Sequence, residues 1–249
     1  MIVPDYAVLL VFAVTLFVAV GVTALLTFGL LRADAALAAK RRFAVQVVLT
    51  VALWTAGALA LAYSGALVPR AGAFPILGAL IIGGAILGNV VLLSSATAKS
   101  VLSAIPAHWL ASIQIYRLIG VVFLLLLADG LLPRYFAWTT GWGDILVGIA
   151  APLVGYLLWR DVQRYAWVGL GWCAIGIADL ILVLIKAVRS APGPLQAAIY
   201  NPPTEIIGYF PFPMVPLVIV PMSLILHVQL IRALTMHATP VGKRTLTLN

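Results

Sequence analysis

Charge and cysteine are what this chain has least of. Asp, Glu, Lys and Arg make up only 9% of its 249 residues, while 64% are hydrophobic. A soluble domain carries roughly a quarter charged residues, most of them on its surface, so this composition cannot clothe a water-facing core. Cysteine occurs once, as Cys173 inside an apolar stretch, which excludes an intramolecular disulfide and a thiolate metal cluster and leaves the redox state of the compartment unread. The order of residues holds no HExxH, paired carboxylate–histidine motif, nucleophile elbow, P-loop or GxGxxG. With short, weakly charged connections that leave no room for a soluble catalytic domain, these absences point away from an enzyme.

What is present is a series of long apolar stretches, near 6–31, 43–65, 75–95, 106–128, 142–159, 165–187 and 211–234. About 20 apolar residues suffice to cross the hydrocarbon core of a bilayer as a helix. From Tyr6 to Leu31 there is no charged side chain at all, so lipid is the solvent such a segment fits. The expected fold is therefore an all-α integral membrane protein of the cell membrane. A single bundle of about seven transmembrane helices fills residues 1–249 as one domain. Ahead of the first stretch stands Met-Ile-Val-Pro-Asp, without the basic region of a signal peptide, and the apolar run is about twice a signal peptide's, so it is expected to stay as an anchor.

The formal charge of +8 would suggest nucleic acid in a soluble protein. Here the cations stand at the ends of spans, facing phospholipid head groups, and no nucleic-acid partner is expected. With the N-terminus outside, the inner segments hold Arg32, Lys40, Arg41, Arg42, Lys99, Arg160, Arg164, Arg232, Lys243 and Arg244, against Arg70, Arg134, Lys186 and Arg189 outside. Ten against four predicts N-out, C-in. Tyr135, Phe136, Trp138 and Trp142 before span five, and Trp159, Tyr165 and Trp167 around the next turn, read as interface anchors. In span three Gly84 and Gly88 form a small-xxx-small pair, which predicts a central helix closely approached by a neighbour. Gly/Ala-rich faces of this kind also offer contact to other membrane proteins, the expected partners besides the bilayer. No internal repeat is evident, which together with an odd number of spans weakens a transporter of inverted halves.

Prolines crowd one segment: Pro192, Pro194, Pro202, Pro203, Pro211, Pro213, Pro216 and Pro221. Two readings fit. One is an outer loop capped by Thr204 and followed by a last helix kinked at Pro216 and Pro221. The other is a re-entrant or broken helix lining a cavity, with Glu205 at its mouth.

Ionisable groups within spans cost several kcal/mol unless paired, and so mark where function is sought. Arg117 lies mid-span four, with Gln114 three residues earlier on the same face. Asp179 in span six lies within roughly 5 Å of the same depth at 1.5 Å per residue, making it the expected partner of Arg117. Trp172 and Lys186 share the stripe of Asp179, but Lys186 stands about 10 Å further out. Asp144 opens span five beside Gly148, Ala151 and Gly155, where the positive end of a helix dipole would account for it as well as a site would. For Arg117 with Asp179 the alternatives are a buried pair that fixes helix register and a functional site.

Of the three histidines, His108 lies at the inner end of span four on the side away from Arg117, His227 lies deeper in span seven, and His237 lies in the tail. Axial ligands of one haem need equal depth, and His108 and His227 differ by about 8 Å, which disfavours a bis-histidine haem. No metal site is expected. Seven spans in about 250 residues resemble microbial rhodopsins in outline, but span seven from Pro211 to Leu234 has no lysine for a retinal Schiff base, so retinal is not expected either. The function that follows is a membrane protein with a buried polar site at Gln114, Arg117 and Asp179 that binds or transports a small ligand or proton. The alternatives are an accessory subunit of a larger membrane complex and, third, a membrane-embedded redox protein. Asp144 and Glu205 are further candidates for ligand binding or proton relay.

Overall fold

The computed structural model describes residues 3–70 and 76–238. Lys243, Arg244 and the side chain of His237 lie outside the described residues, as do Ala71–Pro75. Everything regular is helical: α1 (Asp5–Arg32), α2 (Leu37–Ser64), α3 (Ile76–Leu93), a short α4 (Ala96–Ser103), α5 (Ala107–Ser112), a 3-10 stretch (Ile113–Gly120), α6 (Val121–Ala128), α7 (Arg134–Arg160), α8 (Val162–Ser190), a 3-10 turn (Thr204–Gly208), a wider π-type turn (Val215–Ile219) and α9 (Val220–Ala238). Among the described residues seven helices are long and apolar enough to cross a membrane, with α5, the 3-10 stretch and α6 forming the fourth and the π-type turn leading the seventh.

α1 is apolar on every side, and its Leu9 and Leu16 stand 71% and 65% exposed. Leu53 on α2 and Leu146 and Leu153 on α7 likewise point outward. A belt of this kind is unfavourable in water and unremarkable in hydrocarbon. The core lies around the fourth and seventh helices, where Leu126, Phe136, Phe212, Leu217 and Leu230 are fully buried.

Span three is not central, as its glycine pair suggested. Only 17% of its apolar window is buried, against 56% for spans four and seven. The space over its glycines is taken by side chains rather than by a helix backbone: a Cβ at Gly84 would stand 2.6 Å from the Trp54 ring, and one at Gly88 would run into Ile225. Trp54 explains a second local feature. Pro221 has no N–H to give to the Leu217 carbonyl four residues back, and the Trp54 indole donates to that carbonyl at 2.7 Å instead.

Span five begins earlier than expected. Its helix starts at Arg134, immediately after Pro133 in extended conformation, and takes in the aromatic run read as a pre-helical anchor. Asp144 is therefore ten residues, about 15 Å, into the helix and not in its first turn. The helix-dipole account of this carboxylate falls away.

Candidate functional site

The fourth span narrows where its polar residues lie. Over Ile113–Gly120 the helix tightens to three residues per turn, so that residues i and i+3 eclipse and Gln114, Arg117 and Gly120 form one straight line. All three are buried. This stretch and α5 pack against a glycine line on α7 with a seven-residue period. A Cβ at Gly141, Gly148 or Gly155 would stand 2.9 Å from the Gly120 carbonyl, the Leu118 amide nitrogen or the His108 carbonyl respectively. Side chains never tolerate that distance from backbone, so glycine sets how close the two helices come.

That approach seats the Arg117 guanidinium, whose side chain is 1% exposed, among groups from three helices. Its Nε donates to Asp144 Oδ1 at 2.8 Å, one terminal nitrogen to Asp179 Oδ2 at 2.5 Å, and the other to the Gly176 carbonyl at 3.2 Å and His227 Nε2 at 3.3 Å. Desolvating a charge costs several kcal/mol, and here two carboxylates and two neutral acceptors offset it. Gly176 and Gly143 make the room: a Cβ on the first would stand 2.5 Å from His227 Nε2, and one on the second would collide with the Asp179 carboxylate.

Arg117 can only donate, so His227 accepts at Nε2 and carries its proton on Nδ1. The Gln114 amide nitrogen lies 3.5 Å from that Nδ1, so a hydrogen bond there needs the amide turned end for end. The amide oxygen is the group able to accept it, and Gln114 Oε1 otherwise has no partner. Trp172 lies against the imidazole at 5.0 Å between ring centres and donates to the Val147 carbonyl, fixing α8 against both neighbours. Tyr116 hydrogen-bonds Ser223 at 2.8 Å on the adjoining face.

The expected Arg117–Asp179 ion pair is thus present, with Gln114 beside it. Asp144 joins as a second carboxylate, and His227, weighed above only as a haem ligand, is a full member. Its depth within span seven was the available signal. Lys186 stays apart, donating to Thr139 Oγ1 at 2.6 Å and to the Tyr135 carbonyl. Glu205 is half-buried in the proline-rich segment and does not line the cavity described next. Thr204 does not act as a cap, for its hydroxyl is buried without a partner among the described residues. Among the described residues no cluster of three or more His, Cys, Asp and Glu is placed to hold a metal ion.

Beside the cluster lies a cavity of about 430 Å³, bounded by the 66–70 connection, the N-terminal parts of α3 and α7, the C-terminal half of α8, the start of the seventh span and the proline-rich segment. Its walls are mostly aliphatic, including Leu180, Val183, Ala187, Ile207 and Val215. Asp144 forms part of the lining and Thr140 and Thr204 stand in it, both hydroxyls buried and unpartnered. The proline-rich segment is closed against the 66–70 connection at Gly208, where a Cβ would stand 2.6 Å from the Leu67 carbonyl. It is neither a plain exposed loop nor a helix, but a folded cover.

The chain belongs to the family described as a domain of unknown function, DUF8737, which it matches over residues 73–235. The match takes in α3 to α9, the Arg117 cluster and the whole cover, and leaves out α1 and α2. No curated protein and no solved structure matches the chain.

Proposed function

We propose that this is a protein of the cell membrane, N-terminus outside and C-terminal tail inside, that binds or carries a small ligand or proton at the site around Gln114, Arg117 and Asp179. Asp144 and His227 complete that site, and the cavity under the proline-rich cover is the ligand's place, open toward the outer face. The observation that carries this reading is the meeting of two features at Asp144. It belongs to the ion cluster through Oδ1, and it lines a cavity of ligand size in which Thr140 and Thr204 have no partner. Register alone needs no cavity, and buried hydroxyls are ordinarily hydrogen-bonded.

The experiment is to purify the protein in nanodiscs, denature it, and compare the released small molecules by mass spectrometry with those from Ala187→Phe, which fills the cavity from α8 away from the ion cluster. A molecule other than bulk lipid, near-stoichiometric with the native chain and lost from the variant, is expected. Identical bulk lipid from both would overturn the reading. The topology is tested separately with reporters fused at Asn249: a fluorescent protein should be bright there and alkaline phosphatase silent.

A second reading, an accessory subunit, has one observation in its favour. α2 is only 6% buried over its apolar window and presents Ala52, Ala56 and Ala60 outward, beside Gly57, which has nothing within 4 Å. Such a stripe suits close helix packing with another chain. Ala56→Leu should then shrink the assembly seen on native gels, while leaving the cavity's ligand in place.

A further inference from the structure

The ionisable groups beside the cavity are not evenly matched in number. Arg117 is always cationic, and it is held between two carboxylates, Asp144 and Asp179. His227 accepts from Arg117 and so is neutral, and Lys186, about 10 Å outward of Asp179 along α8, is engaged with Thr139 and Tyr135. The buried cluster has one more carboxylate than guanidinium. The surplus reaches the cavity at Asp144. Its Oδ1 is taken by Arg117, and its Oδ2 accepts no hydrogen bond from any described residue. One turn above it on the same face of α7 is Thr140, 1% exposed, and across the space from the cover comes Thr204, 4% exposed, both with free hydroxyls. The remaining lining is apolar save Arg70, which stands exposed at the opening, where water screens it.

Resting on the ligand-site reading above, we infer that the cavity takes a compact hydrophobic amine, its ammonium donating to Asp144 Oδ2 and to the Thr140 and Thr204 hydroxyl oxygens, and its apolar body filling the space between α3, α8 and the cover. The donor pattern decides the head group. A carboxylate or phosphate brought to this floor would meet Asp144 across a low-dielectric space, whereas an ammonium has three N–H donors for the three free oxygens and balances the surplus charge. The wall chemistry decides the body, since apart from the exposed Arg70 the rest of the lining is apolar.

The test uses three probes that share one hydrocarbon cage and differ only in head: adamantan-1-amine, adamantan-1-ol and adamantane-1-carboxylate. The protein carries Cys173→Ser and Ile207→Cys, which places a single thiol in the cavity lining, and sits in phosphatidylcholine nanodiscs. The readout is the rate of alkylation by N-ethylmaleimide. The amine is expected to protect the thiol at concentrations roughly tenfold or more below those needed with the alcohol, the selectivity of one charge-assisted hydrogen bond, and the carboxylate to protect least. Asp144→Asn should abolish the preference for the amine. Because that variant disturbs the ion cluster, Thr140→Val serves as the second: its hydroxyl bonds nothing among the described residues, so folding is preserved while protection by the amine weakens. Equal protection by all three probes, unchanged in both variants, would overturn the amine assignment and leave a purely apolar ligand site, with the surplus charge met by a proton. Protection strongest with the carboxylate would overturn the charge argument. If none of the probes protects although a small molecule co-purifies with the native chain, the amine assignment alone fails; if nothing co-purifies either, the ligand-site reading fails with it.

Discussion

The unequal count of charges around Arg117 makes an ordered prediction for stability. Replacing Asp179 with Asn leaves Arg117 facing Asp144 at 2.8 Å, one cation with one anion, and retains a side chain of the same shape. The cost should be about 1 kcal/mol, that of trading a charged for a neutral hydrogen bond. Replacing Arg117 with Met is different in kind. Both carboxylates lose their counter-charge at once, in a position 1% exposed, and the loss should reach about 3–5 kcal/mol, the typical cost of stranding a buried charge. Asp144→Asn with Asp179→Asn strands the cation instead and should cost as much. Adding Arg117→Met to that double variant should then recover stability, because no unpaired charge remains. The assay is thermal unfolding in detergent followed by tryptophan fluorescence, where 1 kcal/mol corresponds to about 2–4 °C for a chain of this size. Additive losses across the series, with no recovery in the triple variant, would show that the three charges do not share one balance and would refute the reasoning.

Three further outcomes follow from the packing. Gly148→Ala puts a methyl 2.9 Å from the Leu118 amide nitrogen and should cost about 1–3 kcal/mol by prising α7 from the 3-10 stretch, whereas Gly57→Ala, with nothing within 4 Å, should be neutral or stabilising by the same melt. Gly208→Ala should lift the cover from the 66–70 connection, read as faster alkylation of a cysteine at position 207 with little change in melting temperature. Thr140→Val removes an unsatisfied buried hydroxyl, so the ligand-free protein should melt at the same temperature or higher; a fall of several degrees would show that the hydroxyl has a partner within the fold.

Hydropathy runs along the chain, and what it reports is axial. Seven apolar runs of sufficient length could become seven helices and little else, because a backbone in lipid must satisfy its own hydrogen bonds. Depth is axial too. Counting 1.5 Å per residue placed Arg117 and Asp179 at one level, and two opposite charges at one level in hydrocarbon have strong reason to meet. His227, about two turns from the inner end of span seven, comes within reach of that level by the same arithmetic. At Asp144 the axial signal misleads for a local reason: hydrophobicity rises only at Trp142, but Pro133 starts the helix at Arg134 and carries the aromatic run inside it.

What the sequence does not contain is the lateral arrangement. Which side of each helix faces which neighbour depends on contacts between segments far apart in the chain. Gly84 and Gly88 met a tryptophan ring and an isoleucine and stayed at the periphery, while Gly141, Gly148 and Gly155 met backbone and brought two helices together. The tightening over Ile113–Gly120 is of the same origin, since a 3-10 stretch of this length has poorer hydrogen bonds and persists only where packing and the Arg117 ion pairs compensate. Thr140 carries no mark in the sequence and Thr204 reads there only as a loop cap; folding leaves both hydroxyls in one cavity with no partner among the described residues. The chain by itself determined that the charges would be buried, and only the tertiary structure decided that one of them would be left over, facing an open space.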